Sequence, residues 1–326
     1  MEKHKLGNEG LEVSSIGLGC MGMSAMFYGG APEDQALNTL EAAIEYGVNF
    51  IDTADMYGNG HNEELVGKVV RKFRNDVVLA SKFGFAQKEN GERGICCRPE
   101  YLKEACEKSL RRLGIDHIDL YYMHRLDREV PIEETVGAMA DLVKEGKIRY
   151  IGLSEVSAET LRRAVKVHPI SALQSEYSIW TRDIEQTVLP ACRELNIGIV
   201  AYSPVGRGML SGKIRSIHDF APNDSRHRMP RFMGENLTHN VEIVSVIDQM
   251  AEEKGVTPAQ IALAWVMSHG EDIVPIPGTT RKEHLIENLG ALELKLTSED
   301  LGRLEPIASL IKGERYDSER MKSIDI

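Results

Sequence analysis

The stretch Val48-Asn49-Phe50-Ile51-Asp52 decides the fold of this 326-residue chain. Most of its residues are β-branched or aromatic, and such residues pack well on a pleated surface, so the run predicts a β-strand. The strand ends at a carboxylate, and Tyr57 follows on the next loop. An apolar strand that ends in a polar residue is the unit that the rest of the chain repeats.

Similar runs alternate along the chain with segments of helical periodicity. In residues 33–46, for instance, apolar residues return at spacings of three and four, which makes one apolar helix face. The predicted strands are residues 15–19, 48–52, 77–82, 118–124, 150–154, 172–176, 198–203 and 273–277. The predicted helices are residues 33–46, 63–72, 100–113, 132–145, 158–167, 184–195 and 258–268.

This alternation, with no linker rich in Pro, Gly or Ser, predicts a single (β/α)8 TIM barrel, an α/β fold, over a doubly wound sheet. The predicted domain spans residues 1–326, and a β-hairpin that turns at residues 7–10 precedes the barrel. Residues 206–240 and 306–326 do not fit the repeat. In a barrel, insertions at the C-terminal rim serve the site as loops or lids, so we expect that role for both.

Composition favours a small-molecule partner. The net charge of -11, with no long block of like charges, argues against a nucleic-acid surface. No apolar run has the length of a membrane span, and the charged N-terminus does not resemble a signal peptide, so we expect a cytoplasmic protein that does not enter membranes. The cysteines are scattered without a CxxC, and no histidine pair has ligand spacing, so neither disulfides nor a metal are expected.

The catalytic residues of barrel enzymes lie at the C-terminal ends of strands. Each candidate there also has an ordinary structural role open to it: an aspartate can accept from turn amides, a lysine can be solvated and a histidine can belong to the core. A core-facing Asp and Lys are nevertheless costly unless they pair. The polar residues at these strand ends are Asp52, Lys82, His124, Ser154, Gln174, Tyr202 and Ser203, with Tyr57 on the loop that follows Asp52.

Several separated segments, in order, resemble the signature segments of the aldo-keto reductase superfamily. These are residues 49–58, 80–82, 119–124 and 275–280, and the match runs from the hairpin to about residue 305. Residues 152–155 and 174–183 are similar to the branch of that superfamily that includes perakine reductase and the auxin-induced-protein-like reductases.

The resemblance implies an NADP(H)-dependent oxidoreductase that reduces aldehydes or ketones to alcohols by hydride transfer from the nicotinamide. Tyr57 would be the proton donor. Lys82 would lower the pKa of Tyr57, and Asp52 would keep Lys82 charged and oriented. His124 would hydrogen-bond the carbonyl oxygen and orient it towards Tyr57.

The resemblance also implies a cofactor site. Ser154 and Gln174 would bind the nicotinamide carboxamide and Tyr202 would stack on the ring, while Glu155 stands where the family commonly has Asn. The glycine-rich segment 203–213 would let backbone amides approach the pyrophosphate. The residues assigned there are Ser203, Pro204, Val205, Gly206, Gly208, Leu210 and Lys213.

Residues 280–283 have the S/T-x-x-E form of a capping box and are predicted to open a helix after the eighth strand. A helix N-terminus with basic side chains is a natural phosphate site, here for the adenosine 2'-phosphate of NADP, and plain capping is the alternative. Family members usually have a basic residue where His284 stands. The residues carried over for this end of the cofactor are Gly278, Thr279, Thr280, Arg281, His284, Glu287 and Asn288.

Two other functions remain open on the sequence. Potassium-channel β subunits resemble this superfamily and act by binding a partner, and a barrel lysine such as Lys82 can form a Schiff base with its substrate.

The basic segment 225–232 either closes over the site or is a surface loop. The identity of the carbonyl substrate and the oligomeric state stay undetermined. Expected pocket walls are Met23, Met26, Phe27, Tyr28, Phe85, Arg125 and Trp180.

Overall fold

A computed structural model describes residues 1–87 and 93–325 of the chain; Ile326, the last residue of the predicted domain and tail, lies outside the described residues. The chain begins with an antiparallel hairpin in which Leu6 pairs with Leu11 across the predicted turn. The described strands are β1 (Lys3–Leu6), β2 (Leu11–Ser14), β3 (Leu18–Gly19), β4 (Phe50–Asp52), β5 (Val78–Phe83), β6 (Phe85–Gln87), β7 (Arg93–Ile95), β8 (Ile118–Met123), β9 (Ile148–Ser154), β10 (Ala172–Glu176), β11 (Gly198–Tyr202) and β12 (Ile273–Pro275).

Eight of these strands form one parallel sheet in the order β12-β11-β10-β9-β8-β5-β4-β3. Its two edges meet, because Gly17 N donates to the Pro275 carbonyl at 2.9 Å and Gly19 N donates to the Pro277 carbonyl at 3.2 Å. The predicted (β/α)8 barrel is therefore confirmed. Its first strand is shorter than the predicted span of residues 15–19, since only the last two of those residues form ladder pairs with β4.

Helices cover the outside of the barrel. The predicted helix over residues 184–195 is wrong at its start, where a short 3-10 turn (Asp183–Glu185) precedes the α-helix. The described α-helices are α1 (Glu33–Glu45), α2 (His61–Val70), α3 (Pro99–Leu113), α4 (Ile132–Lys144), α5 (Ala158–Ala164), α6 (Val188–Leu195), α7 (Gly234–Lys254), α8 (Pro258–Met267), α9 (Lys282–Leu289), α10 (Ser298–Leu304), α11 (Ile307–Leu310) and α12 (Ser318–Met321).

Two apolar layers hold the fold together. The larger lies between the barrel and the helices, and it buries the apolar faces that the helical periodicity predicts. The smaller fills the barrel interior, where Phe50, Leu120 and Val200 pack with Leu6 and Leu11 of the hairpin. The hairpin thus closes the N-terminal end of the barrel, and the opposite end, where β4, β5 and β8 terminate, is left for a site. Among the described residues, no helix is long and apolar enough to span a membrane.

Candidate active site

A buried ion pair lies at the C-terminal end of the barrel. Lys82 on β5 donates through Nζ to Asp52 Oδ1 on the neighbouring β4, and also to the Thr53 carbonyl at 2.8 Å. Gln174 Nε2, from β10 across the barrel, donates to Asp52 Oδ2 at 2.8 Å. Both oxygens of the carboxylate are therefore occupied, which fixes the Lys82 ammonium in one position.

Tyr57 is the third member of this cluster. It opens the short 3-10 segment Tyr57–Gly60 on the loop after β4, and its hydroxyl accepts from Lys82 Nζ at 3.3 Å. Its ring meets those of Phe27 and His124 edge-on, with centroids 6.2 and 6.1 Å away. His124 follows β8 directly and contacts the Phe85 ring with centroids 5.0 Å apart. The structure thus brings the four predicted catalytic residues together.

Burial and charge set the protonation of this cluster. Burial raises the pKa of Tyr57, and the nearby Lys82 charge opposes that rise without cancelling it. The expected direction of the effect of Lys82 is confirmed, but the expected net lowering is wrong. Burial disfavours the Lys82 ammonium, yet Asp52 and Tyr57 outweigh it and raise the pKa of Lys82. Burial, with the charges of Arg125 and Lys82, holds the pKa of His124 well below its usual range, so its imidazole is neutral.

The residues assigned to the nicotinamide line the same end of the barrel. Ser154 ends β9 and Tyr202 ends β11, while Gln174 lies in the middle of β10. Their present partners are protein groups: Ser154 Oγ accepts from Arg125 Nη1 at 3.3 Å, and the Tyr202 hydroxyl lies 3.1 Å from that of Tyr316. Their contacts with a cofactor stay a prediction.

The glycine-rich segment forms the tight turn Gly206–Ser211 directly after β11. Gly206, Arg207 and Gly208 all have positive φ, which favours glycine. A Cβ on Gly206 would lie 2.8 Å from Leu210 and 2.9 Å from Trp180, so packing alone requires this glycine. Within this loop, which also holds Pro204, the amides of Gly206, Gly208 and Leu210 donate to the Ser203 and Val205 carbonyls at 2.9, 3.0 and 3.2 Å, so their contact with a pyrophosphate stays a prediction.

Residues predicted to bind the adenosine end of the cofactor also lie close together in the structure. Lys213 Nζ lies 3.0 Å from His284 Nε2 and 3.4 Å from Glu287 Oε2, which joins the glycine-rich loop to α9. Asn288 on the same helix is buried, and Gly278 bridges to Gly19 of β3. Lys213 and His284, more than 70 residues apart in sequence, are therefore in contact.

The predicted capping box at residues 280–283 is wrong. Helix α9 begins one residue later, at Lys282, with Arg281 as its N-cap and no side-chain capping bond. Thr279 Oγ1 instead accepts from Arg281 N at 3.1 Å, a local turn that delays the helix. The Thr280 carbonyl accepts from Gln35 at 2.8 Å, which ties this segment to α1.

A second set of charges, which was not predicted from the sequence, surrounds the mouth of the barrel. Arg207 Nη2 pairs with Glu176 Oε2 at 2.7 Å and donates to the Tyr316 hydroxyl at 2.7 Å. Arg315 Nη1 pairs with Glu155 Oε1 at 3.2 Å. Tyr316 and Arg315 belong to the C-terminal tail, of which residues 306–325 are described, so the tail folds back onto the ends of β9 and β11. Its high density of charged residues was the available signal.

The structure also shows where Trp180 and the basic segment 225–232 lie. Trp180, expected in the pocket wall, is buried against the Phe232 ring, with centroids 5.5 Å apart. The segment 225–232 packs against the loop after β3, because Ser225 N donates to the Phe27 carbonyl at 2.9 Å and Arg226 stacks on Tyr28. Within residues 1–87 and 93–325, no group of His, Cys, Asp and Glu has the arrangement of a metal site.

Comparisons with known proteins agree with this geometry. The model of the aldo/keto reductase family matches residues 15–309. A curated soybean (Glycine max) protein, "Probable aldo-keto reductase 1", is 47% identical over 317 residues, which cover 96% of this chain and 91% of that protein.

Solved structures also superpose on this chain over nearly its whole length. The glycerol dehydrogenase from Gluconobacter oxydans superposes with a TM-score of 0.83 at 27% identity, over 97% of this chain and 98% of that one. An aldo/keto reductase from Klebsiella pneumoniae, in complex with NADP and acetate, superposes with a TM-score of 0.74 at 31% identity, over 97% of this chain and 99% of that one. None of these comparisons distinguishes the branch suggested by residues 152–155 and 174–183.

Proposed function

This chain belongs to the aldo/keto reductase family of oxidoreductases, and from that premise we propose that it reduces aldehydes or ketones to alcohols with NADP(H), using Tyr57 as the proton donor. The single observation that carries the proposal is the contact of Lys82 Nζ with both Asp52 and the Tyr57 hydroxyl. A buried ammonium 3.3 Å from a phenol stabilises the phenolate that proton transfer would leave behind.

Each member of the cluster has a chemical task in the proposed reaction. With its pKa raised by burial, Tyr57 keeps its proton at neutral pH and can donate it to a carbonyl oxygen that becomes an alcohol. Lys82 then neutralises the phenolate, while Asp52 and Gln174 keep the ammonium in place. The neutral His124 has its Nδ1 buried with no partner among the described residues, and an imidazole in that state can hydrogen-bond and orient the carbonyl.

The mouth of the barrel fits a nicotinamide cofactor. Tyr202 supplies an aromatic ring and Ser154 a hydroxyl at the ends of their strands, while Lys213, Arg281 and Lys282 supply positive charge at the other end. When bound, the cofactor supplies the hydride. NADP is the proposed form because these cations suit a 2'-phosphate, and the related Klebsiella pneumoniae enzyme was solved with NADP. The cysteines are free thiols, which suits a reducing compartment, so the proposed location is the cytoplasm.

The Schiff-base alternative is less well supported. An amine must lose its proton to attack a carbonyl, and the raised pKa of Lys82 opposes that loss. A partner-binding role without catalysis would leave no reason for Lys82, Asp52 and Tyr57 to share one buried cluster, since burying these charges costs free energy.

Substitution of Tyr57 tests the proposal. We expect Tyr57→Phe to lower kcat by about 10²- to 10⁴-fold, because it removes only the donated proton. NADPH binding, followed by fluorescence titration, should stay close to wild type. Tyr150→Phe is the matched control, since Tyr150 packs at the hairpin end of the barrel. Near-normal kcat in Tyr57→Phe, with a panel of aromatic and aliphatic aldehydes and ketones, would rule out Tyr57 as the donor.

A further inference from the structure

Arg125 is a buried cation without a counter-ion. It directly follows His124, and its residue surface is only 8% exposed. Its Nη1 donates to the His124 carbonyl at 2.6 Å and to Ser154 Oγ at 3.3 Å, and both acceptors are neutral. Among the described residues, no carboxylate lies within ion-pair distance of its guanidinium.

Most of the other buried cations of the barrel mouth have a counter-ion, unlike Arg125. Three of them are each matched to a buried carboxylate: Lys82 to Asp52, Arg207 to Glu176 and Arg315 to Glu155. Arg231 has no ion pair within the described residues either, but it stacks on Trp180 and donates to Thr181 Oγ1 and the Gly313 carbonyl. Burying a charge without an ion-pair partner costs several kcal/mol, and the Glu155 carboxylate acts on Arg125 only from beyond ion-pair distance, so a guanidinium at this position can still gain from a bound anion.

The side of the Arg125 guanidinium formed by Nε and Nη2 has the geometry that binds a carboxylate. Only Nη1 hydrogen-bonds to described residues, which leaves the parallel N–H bonds of Nε and Nη2. That edge binds carboxylates through two hydrogen bonds. The same edge of Arg163 in this chain binds the two oxygens of Glu133, at 2.8 and 2.7 Å.

The position of Arg125 connects this edge to the reaction centre. Its neighbour along the chain is His124, and its contact across the mouth is Ser154, the residue assigned to the nicotinamide. Its charge also acts on the catalytic hydroxyl, where it helps to oppose the burial-driven rise in the pKa of Tyr57. A group bound to Arg125 would therefore lie beside a carbonyl held by Tyr57 and His124.

We propose that Arg125 selects carbonyl substrates that also carry a carboxylate, which it binds on its Nε–Nη2 edge. This inference rests on the proposed function and names the substrate class of the same site. Such substrates are oxo acids and formyl-substituted aromatic acids. Their anion supplies the counter-charge that the described residues do not give to Arg125.

The test compares acids with neutral isosteres. The probes are 3- and 4-formylbenzoate, each against its primary carboxamide, and glyoxylate and 4-oxobutanoate against their amides, so that several separations between carbonyl and anion are sampled. We expect wild-type kcat/KM to favour at least one acid by about 10- to 100-fold, mainly through KM. Arg125→Gln should bring that ratio close to one, and Arg125→Lys should leave it intermediate. The matched control, Arg163→Gln, should keep the wild-type ratio.

Other outcomes would overturn the inference. Wild-type ratios near one for every pair, or a ratio that survives Arg125→Gln, would show that Arg125 does not select an anion. Equal losses on acid and amide together with weaker NADPH binding would make Arg125 a cofactor ligand instead. If the wild type reduces none of these probes and none of the aldehydes and ketones used to test Tyr57, the proposed function fails separately. The inference is then judged by thermal shift, with benzoate but not benzamide expected to stabilise the wild type and not Arg125→Gln; equal shifts would overturn it.

Discussion

Glu155 shows how one residue can differ from its family pattern without disturbing the fold. Its backbone has φ +52°, a left-handed conformation that Asn tolerates better than most residues. A glutamate at this position is fully buried, and its carboxylate accepts from Glu176 N at 2.9 Å while it pairs with Arg315. We infer that the side chain of residue 155 serves here to bind the tail.

Asp55, two residues before Tyr57, predicts a pH dependence of stability. Burial, with the nearby Glu63 charge, raises the pKa of Asp55 to about 8, and its Oδ1 has no hydrogen-bond partner among the described residues. The unfolded chain releases this proton near its ordinary pKa of 3.8, so the folded state binds more protons between pH 4 and 8. This group therefore makes stability fall as pH rises through that window and level off above it.

Asp55→Asn removes the titration. We expect it to stabilise the protein by about 2 kcal/mol at pH 8.5 and by much less at pH 4.5, because only the carboxylate carries the cost of an unpartnered buried charge. Urea unfolding at the two pH values measures the difference. Asp76→Asn, at an exposed aspartate, is the control. An effect of equal size at both pH values would show that Asp55 does not titrate in this range.

The residue-scale predictions succeeded where backbone topology alone decides position. Asp52, Lys82 and His124 could be placed together because the ends of parallel strands share one rim of a barrel. The net pKa of Tyr57 could not be predicted, since it depends on the depth of burial, which no spacing encodes. Arg125 was expected only as part of a pocket wall, because its lack of a counter-ion depends on where every carboxylate lies.

At the scale of elements, the chain offers a direct comparison of two similar sequence patterns. Thr257 caps α8 in a full capping box, since its hydroxyl accepts from Gln260 N at 3.3 Å and its own N–H donates to Gln260 Oε1 at 3.0 Å. Thr280 stands in the same kind of pattern but caps nothing. A three-residue spacing is therefore insufficient when the chain before the helix is held elsewhere.

We expect Thr257→Ala to lower the free energy of unfolding by about 1 kcal/mol, the usual value of an N-cap. Thr280→Ala should lower it by clearly less, because its hydroxyl only accepts a 3.3 Å bond from Gln35. Chemical denaturation of the two variants side by side measures both values. Equal losses would mean that Thr280 contributes to α9 in a way that its geometry does not indicate.

Helix α7 is the longest of the described helices, and it is absent from the helices predicted by periodicity. It starts at Gly234, inside the segment expected to be irregular, and its inward face includes the buried Asn240. Asn240 Nδ2 donates to the Arg231 and Lys312 carbonyls at 3.0 and 2.9 Å. A polar residue on an inward face breaks the apolar pattern on which the prediction depends, and the tail that satisfies it is distant in sequence.

At the scale of the whole molecule, the C-terminal tail connects the ends of the barrel strands to one another. Arg315 pairs with Glu155 after β9, Tyr316 contacts Tyr202 at the end of β11, and Asp325 accepts from Thr160 on α5 at 2.7 Å. The barrel itself was predictable from eight repeats of one unit. The course of the tail was not, because it follows no repeat and is decided by these individual polar contacts.

The Arg315–Glu155 pair predicts how strongly the tail is bound. Both side chains are almost fully buried, so Arg315→Met leaves a buried carboxylate without its partner and should cost about 3–5 kcal/mol of unfolding free energy. In the double variant Glu155→Asn with Arg315→Met, no buried charge is stranded, since Asp183, the other partner of Arg315, is half exposed. Asn also suits the left-handed backbone, so most of that loss should be recovered. Guanidinium unfolding of the two single variants and the double variant measures the coupling.

Arg303→Met, which breaks an exposed pair with Glu253, serves as the control and should leave stability essentially unchanged. Additive losses in the double variant would mean that the two residues stabilise the fold independently, and the tail would then be bound chiefly by Tyr316 and Asp325.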